Sequence, residues 1–507
     1  MILSVQVAVA LVVIYLVYHY VLYPTYISPL SKIPSAHPTS SFLPTWLWWM
    51  RRIGRESRSI FAAHQRHGPI VRLAPNEVSV ASLDGLRKIY VGGFRRSDWF
   101  LLLRNYDGTP NLVSMLDNKQ HAAQRRFLSH VYSKSYLLGS SDFQTLARVI
   151  IFERLFPVLD DAARTGQSVD VYELCSAVGA EFMSAYEMGI GNGYDLVRQG
   201  RENERRRHVE RATRKLKYLE WGGIAAKELE QECLDMCKNA EDFLRRSSSE
   251  SKQAKSTFDE GTEKAENNVQ KTSEPTSYPV VYAQLSASIR GKQTGTSEEI
   301  FRLIASELID HIEAARGGIG ITLTYAMYHL SQQSALQSTL RKELEALKLP
   351  LTYPAFRQTL STSTLRQFDN IPLLDAIITE TLRLYPTVPG PLRRTVPEGG
   401  TVIENYFIPA DVLISSSPYC LHHHEAAYPK AELWKPERWM RMGNAMGEKA
   451  TTNDGDDGEL ENGRREDDPR RWFWAFGSGS TVCIGNNLSL LGKYLGTLMP
   501  LSQRSTN

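Results

Sequence analysis

Two stretches of this 507-residue chain hold residue types whose spacing fits chemistry. The first is WFWAFGSGSTVCIG at residues 472–485. Gly477, Gly479 and Gly485 let the backbone turn tightly and approach a flat ligand, and Cys483 stands between Val482 and Ile484. A thiolate held there can bind a metal, although a lone cysteine in an apolar loop is more often a packed small side chain. The second stretch supplies charges. DAIITETLRLYP places Glu380 and Arg383 three residues apart on one helix face before the stop at Pro386, and LWKPERWM brings back Arg438. A Glu–Arg pair alone reads as a surface ion pair. With a second arginine it becomes a cluster that tolerates burial, because each charge is matched.

These residues need elements to hold them. Residues 2–23 contain no Asp, Glu, Lys or Arg, and as a helix they span about 30 Å, the thickness of a bilayer's hydrocarbon core. Lys32, Arg51 and Arg52 follow the span, which leaves the body on the cytoplasmic side. Pro24, Pro29, Pro34 and Pro38 predict a stiff, non-helical hinge over 24–50, with the globular body at 51–507. IVRLAPNEVSV at 70–80 predicts a hairpin, and short strands are expected around 401–416. Helical patterns dominate elsewhere, so the class is mainly α with a small β portion. Residues 245–277 and 453–468 read as solvated loops. A net charge of 59 − 56 = +3 without a basic, aromatic-rich block gives no reason to expect nucleic acid. Five cysteines in so long a chain do not make a disulfide framework. Cys233 and Cys237 lack a second ligand pair for zinc, and adjacent His422, His423 and His424 cannot all face one metal.

The ordered set ETLR, PERW and FGSGSTVCIG, behind one N-terminal span and a proline hinge, resembles the cytochrome P450 family of haem-thiolate monooxygenases, in the membrane-bound form of filamentous fungi. The resemblance implies the cytochrome P450 fold, with Cys483 as axial thiolate of a b-type haem, Phe476 beside the sulfur and Gly477, Gly479 and Gly485 shaping the loop. It implies a supporting cluster of Glu380, Arg383 and Arg438. In HAAQRRFLSHVYS, His121 and Arg125 occupy the family's W-x-x-x-R positions, which reach a haem propionate; the competing reading is a basic surface helix. Arg394 is a further propionate candidate, with Arg393 the rival choice. It also implies O₂, a lipophilic small-molecule substrate, an NADPH-cytochrome P450 reductase and an endoplasmic reticulum membrane, with a place in secondary metabolism. No dinucleotide fingerprint appears in a strand–helix context, so electrons are expected from that partner.

Three departures qualify the resemblance. Thr481 stands where the family has an arginine two residues before the cysteine, removing a charged contact worth about 1–3 kcal/mol. In SEEIFRLIASELIDHIEAARGGIGITLTYAMYHLS, Thr296 and Glu299 form a capping box, and Gly317 and Gly318 occupy the positions of the proton-relaying acid and threonine. Two glycines, with Gly320 nearby, predict a locally loose helix, at about 1 kcal/mol each relative to alanine. Glu313, one turn earlier, is a replacement-acid candidate whose plainer reading is an ion pair; His311 reads as a packed histidine. Gly317 and Gly318 also admit an isomerase or dehydratase that needs no external electrons. Finally, the helix after Cys483 meets Pro500 and a polar tail, which predicts a truncated end and, with it, an inactive haem binder as a third reading.

Overall fold

The computed structural model describes residues 2–106, 108–199, 224–258, 278–291, 296–347, 361–440 and 468–492. The uncharged N-terminus forms α1 (Ile2–Val17), which continues as wider π-type turns over Tyr18–Ile27 with Pro24 inside them. The helix therefore runs past Tyr23, where the sequence suggested a stop. Pro24 has no N–H to donate, and widened turns tolerate that gap. Val5–Ile27 is long and apolar enough to cross a membrane. The proline segment is not wholly non-helical as expected, since Pro29 opens a tight turn over Pro29–Lys32, a first-turn position where its missing N–H costs nothing, and Thr45–Arg52 is a short helix. It docks on the body: Arg72 donates its backbone N–H to Pro34 O at 2.8 Å and accepts from Ala36 N at 2.9 Å, while Leu30 and Ile33 are buried.

The 70–80 pattern forms β1 (Ile70–Ala74) and β2 (Glu77–Val80), joined by Pro75 and Asn76. They belong to a four-stranded sheet in the order β1-β2-β6-β3, with β3 at Arg394–Thr395 and β6 at Leu413–Ser415. β2 runs parallel to β6, with Glu77 opposite Leu413; β6 is antiparallel to β3, with Ile414 opposite Arg394. A hairpin of β4 (Thr401–Ile403) and β5 (Tyr406–Ile408) turns at Glu404 and Asn405, both left-handed at φ 51° and 65°. That is the backbone a tight two-residue hairpin demands.

Five helices set the rest of the frame: α2 (Asn118–Leu128), α3 (Val171–Met188), α4 (Ile224–Phe258), α5 (Ser297–Ser331) and α6 (Pro372–Leu384). α5 begins at the capping box of Thr296 and Glu299 and is continuous through Gly317, Gly318 and Gly320. The glycines do not interrupt the helix. α3 braces that stretch: a Cβ on Gly179 would lie 2.6 Å from Ala315 O, and one on Gly320 2.6 Å from Ser176 Oγ, so the two backbones pack closer than larger residues would permit. Thr322 Oγ1 also donates to Gly318 O at 2.9 Å. Packing, not propensity, decides such a helix.

α4 corrects the solvated loop expected at 245–277, because it carries the chain as helix to Phe258. Solvent exposure was right at Arg245 and Arg246, but Lys, Glu, Gln and Ala suit an exposed helix, and Arg245 pairs with Glu241 at 2.8 Å, one turn away. Residues 259–277, nearly all of the 453–468 loop and the tail around Pro500 lie outside the described residues. Two apolar cores meet near the cysteine loop. One gathers the helices; the other, beneath the sheet, includes Tyr90, Trp439, Trp472 and Trp474.

Candidate functional site

The cysteine loop is built by its glycines and one backbone bond. Gly477 and Gly479 sit at φ 72° and 67°, conformations that L side chains rarely adopt, and Cys483 N donates to Phe476 O at 2.9 Å to close the loop. Gly479 is needed twice over, since a Cβ there would lie 2.3 Å from Tyr90 O. The loop presents Cys483 exposed between half-buried Val482 and Ile484. Phe476 is partly buried against the helical core.

Charged residues from three elements converge beside this cysteine. From α2, Arg125 Nη1 donates to Val482 O at 2.6 Å; burial holds its guanidinium below the usual arginine range, and Cys483 nearby acts in the opposite direction. From β3, Arg394 Nη2 donates to Thr481 Oγ1 at 3.0 Å, with its guanidinium 4.8 Å from the Tyr90 ring centre. Arg393 turns the other way, to Glu56 at 2.6 Å and Glu77 at 3.0 Å. His121 is buried one turn before Arg125, so α2 is not a basic surface helix there. Burial, reinforced by Arg96, Arg125 and Arg394, brings its imidazole down to about 3, leaving it neutral.

Arg96 is the member that sequence reasoning missed. It is buried, donates to Leu112 O at 2.8 Å and Met115 O at 3.1 Å, and lies 3.4 Å from His121 Nε2. Burial lowers its guanidinium to about 9, with Arg394 and Arg125 adding to the shift, so it stays charged at neutral pH. FRRSDWF gives no periodicity that tells Arg96 from Arg95, which is exposed and pairs with Asp98.

Behind the loop, Glu380, Arg383 and Arg438 come together. Arg383 makes a two-pronged contact with Glu380, both bonds at 2.8 Å, and Arg438 Nε reaches Glu380 Oε1 at 3.1 Å. Arg383 Nη1 also donates to His422 O at 2.8 Å. His422 links this cluster to the cysteine loop: its Nδ1 donates to Arg383 O at 2.8 Å, and its Nε2 accepts Trp474 N at 2.8 Å. Of the three adjacent histidines it is His422 that makes this link, a structural role that their spacing in the sequence does not announce.

Across the site, a Cβ added at Gly317 or Gly318 would meet nothing within 4 Å. Glu313 is held by Arg316 Nε at 2.9 Å. His311 sits between Glu187 Oε1 at 3.1 Å and Glu307 Oε1 at 3.2 Å, with Tyr132 Oη at 2.9 Å. Burial opposes its charge, but the two glutamates outweigh that and hold it protonated, well above the usual histidine range. Cys233 and Cys237 are buried, and the Cys233 thiol donates to Ala305 O at 3.6 Å.

The cytochrome P450 family model matches residues 38–492. This chain belongs to that family. A P450 monooxygenase of Aspergillus versicolor, avaI, is 27% identical over 453 residues, covering 86% of this chain and 95% of that protein. Tryprostatin B 6-hydroxylase of Aspergillus fumigatus is 25% identical over 428 residues, covering 83% and 68%. Conidiogenone synthase of Penicillium rubens is 26% identical over 486 residues, covering 94% and 87%. A crystal structure of a cytochrome P450 (CYP102L1) superposes with a TM-score of 0.64 at 16% identity, covering 89% of this chain and 90% of that one, which establishes the shared fold.

P450 enzymes carry haem ligated by a cysteine thiolate, and the residues of this P450 fit such a group. Arg96, Arg125 and Arg394 are clustered, with no ion-pair partner among the described residues, an arrangement suited to a bound dianion. His121 Nδ1 and Arg96 Nε, both buried, have no hydrogen-bond partner in the described protein. Cys483 is exposed beside them.

Proposed function

We propose that this P450 is a membrane-anchored monooxygenase that receives electrons from NADPH through a separate reductase and inserts one atom of O₂ into a lipophilic small molecule of fungal secondary metabolism. The observation that carries the reading is Cys483, exposed beside the buried cations Arg96, Arg125 and Arg394. In it, Cys483 ligates the iron; Arg96, Arg125, Arg394 and His121 hold the propionates; and Glu380, Arg383 and Arg438 support the loop. When bound, haem supplies reductive O₂ activation, and thiolate donation favours O–O cleavage. Thr481 takes the place of an arginine, and its hydroxyl steers Arg394. Residues 2–23, with the helical turns that carry on to Ile27, serve as anchor to the endoplasmic reticulum membrane, the rest of the segment to residue 50 as hinge and 51–507 as the cytoplasmic haem domain. Exposed Trp48 and Trp49 on the short helix Thr45–Arg52 suit a membrane interface close to that anchor.

The decisive experiment is the reduced, carbon monoxide-bound absorption spectrum of the full chain in membranes, beside Cys483→Ala. A thiolate-type band is expected for the natural chain and its loss for the variant; a band that survives the substitution overturns the assignment. The open face at Gly317 and Gly318 favours one second reading, an isomerase or dehydratase. Turnover without reductase would support it, and strict dependence on NADPH and O₂ would remove it.

A further inference from the structure

α5 has no acid–alcohol pair at Gly317 and Gly318, yet another carboxylate faces the same space. Asp310 lies in the protein interior but stays partly accessible, so it borders an internal opening and not a packed core. It makes no hydrogen bond or ion pair with any described residue. Seven residues separate Asp310 from Gly317, close to two full turns, which puts both on one face of α5 about 10.5 Å apart along its axis. Between them Ala314 is exposed, and a Cβ added at Gly317 or Gly318 would meet nothing within 4 Å, so that face of α5 is open and not packed against a neighbour. Its other end is the arginine cradle, since the charge of Arg96 reaches Asp310.

We propose that Asp310 is the proton-donating residue of this P450, feeding protons through water along the glycine face in place of the missing pair. The inference rests on the monooxygenase reading, in which each oxygenation takes two electrons from NADPH and two protons and releases one water. The Asp310 carboxyl O–H breaks, its proton passes to water on that face, and the carboxylate left behind is steadied by His311 and Arg96 until solvent reloads it. The charged groups acting on Asp310 are His311 and Arg96, which favour ionisation, and Glu307 and Glu313, which oppose it. Burial is the largest influence, and the net result pushes the carboxyl up to about 7, so it can both hold and release a proton near neutrality. Glu313 is a weaker donor because Arg316 holds it as an ion pair.

The test uses the full chain in membranes with Asp310→Asn and Asp310→Glu. Infrared difference titration of the oxidised protein, without reductase, should show a carboxyl band converting to carboxylate near pH 7 that Asp310→Asn lacks. With reductase, oxygen-dependent NADPH oxidation should fall by about a hundredfold in Asp310→Asn, lose its pH limb near 7, and recover in Asp310→Glu. A band unchanged in Asp310→Asn overturns the proposal. So does a haem-loaded Asp310→Asn protein that keeps the natural rate and pH limb. If the natural chain shows no NADPH oxidation at all, the monooxygenase reading falls and takes the donor role with it, while the infrared titration still reports whether Asp310 titrates.

Discussion

Replacing Glu380 with glutamine tests how the cysteine loop is held. Glu380 has no solvent exposure and accepts five hydrogen bonds on two oxygens. Oε1 takes Arg383 Nη2 at 2.8 Å, Lys435 N at 2.8 Å and Arg438 Nε at 3.1 Å; Oε2 takes Arg383 Nε at 2.8 Å and Trp439 Nε1 at 2.9 Å. Glutamine keeps the volume but turns one oxygen into a donor. Whichever way the amide sits, at least two buried donors then face an NH₂ group, and the fully buried Arg383 loses its anion. Breaking such a pair from one side costs about 3–5 kcal/mol, a large share of the roughly 5–15 kcal/mol that holds a typical domain folded. Arg438→Gln is the comparison. It removes one bond to Glu380 and two long, exposed ones to Pro429 O and Leu433 O, both at 3.4 Å, but leaves Glu380 with Arg383, so about 1–2 kcal/mol is expected. Denaturant unfolding of the full chain in detergent, followed by tryptophan fluorescence with haem content in parallel, measures both. The reasoning is refuted if Glu380→Gln loses less than about 1 kcal/mol, or less than Arg438→Gln.

Two further outcomes follow from the same region. Burial depresses the His422 imidazole from 6.5 to about 3, so the unfolded chain binds the extra proton and the stability from neutral His422 fades as pH falls from 6.5 toward 3. At pH 5 that amounts to about 2 kcal/mol, and His422→Gln, which cannot take the proton, should narrow its gap to the natural chain by that much between pH 7 and pH 5; a constant gap in denaturant titrations would contradict the assignment. Gly479→Ala drives a methyl to 2.3 Å from Tyr90 O at a left-handed φ, so the loop must shift and the thiolate-type band should be largely lost, whereas Gly139→Ala, whose methyl meets nothing, should keep it. Equal spectra for the two variants would show that the loop does not depend on this close approach.

How much of this was legible in the sequence depended on whether a residue's task is local. The cysteine loop, the Glu380–Arg383 spacing, the capping box at Thr296 and the Pro75–Asn76 hairpin are set by neighbours within a few residues, and each appears where its pattern put it. Arg96 and His422 escaped because their tasks are tertiary. Nothing within FRRSDWF says which arginine turns inward; the decision is made by Leu112 and Met115, which offer Arg96 their carbonyls from a segment further along the chain. The helix errors share one cause. A proline, a glycine pair and a polar run were read by intrinsic preference, while the structure settles them by π-type turns at Pro24, by the α3 backbone against Gly320 and by exposed ion pairing along α4.

The same distinction bears on the glycines of α5. Gly320 is small because Ser176 leaves no room for a side chain, so packing accounts for it. Packing does not account for Gly317 and Gly318, where a Cβ would meet open space. Side chains there would be tolerated by the fold and would occupy the open face of α5 that Asp310 shares. Because the helix is held by α3 on its opposite flank, the glycine pair leaves that face open without breaking the helix. An acid and a threonine at these positions would act from that face; two glycines leave the work to a carboxylate further along it.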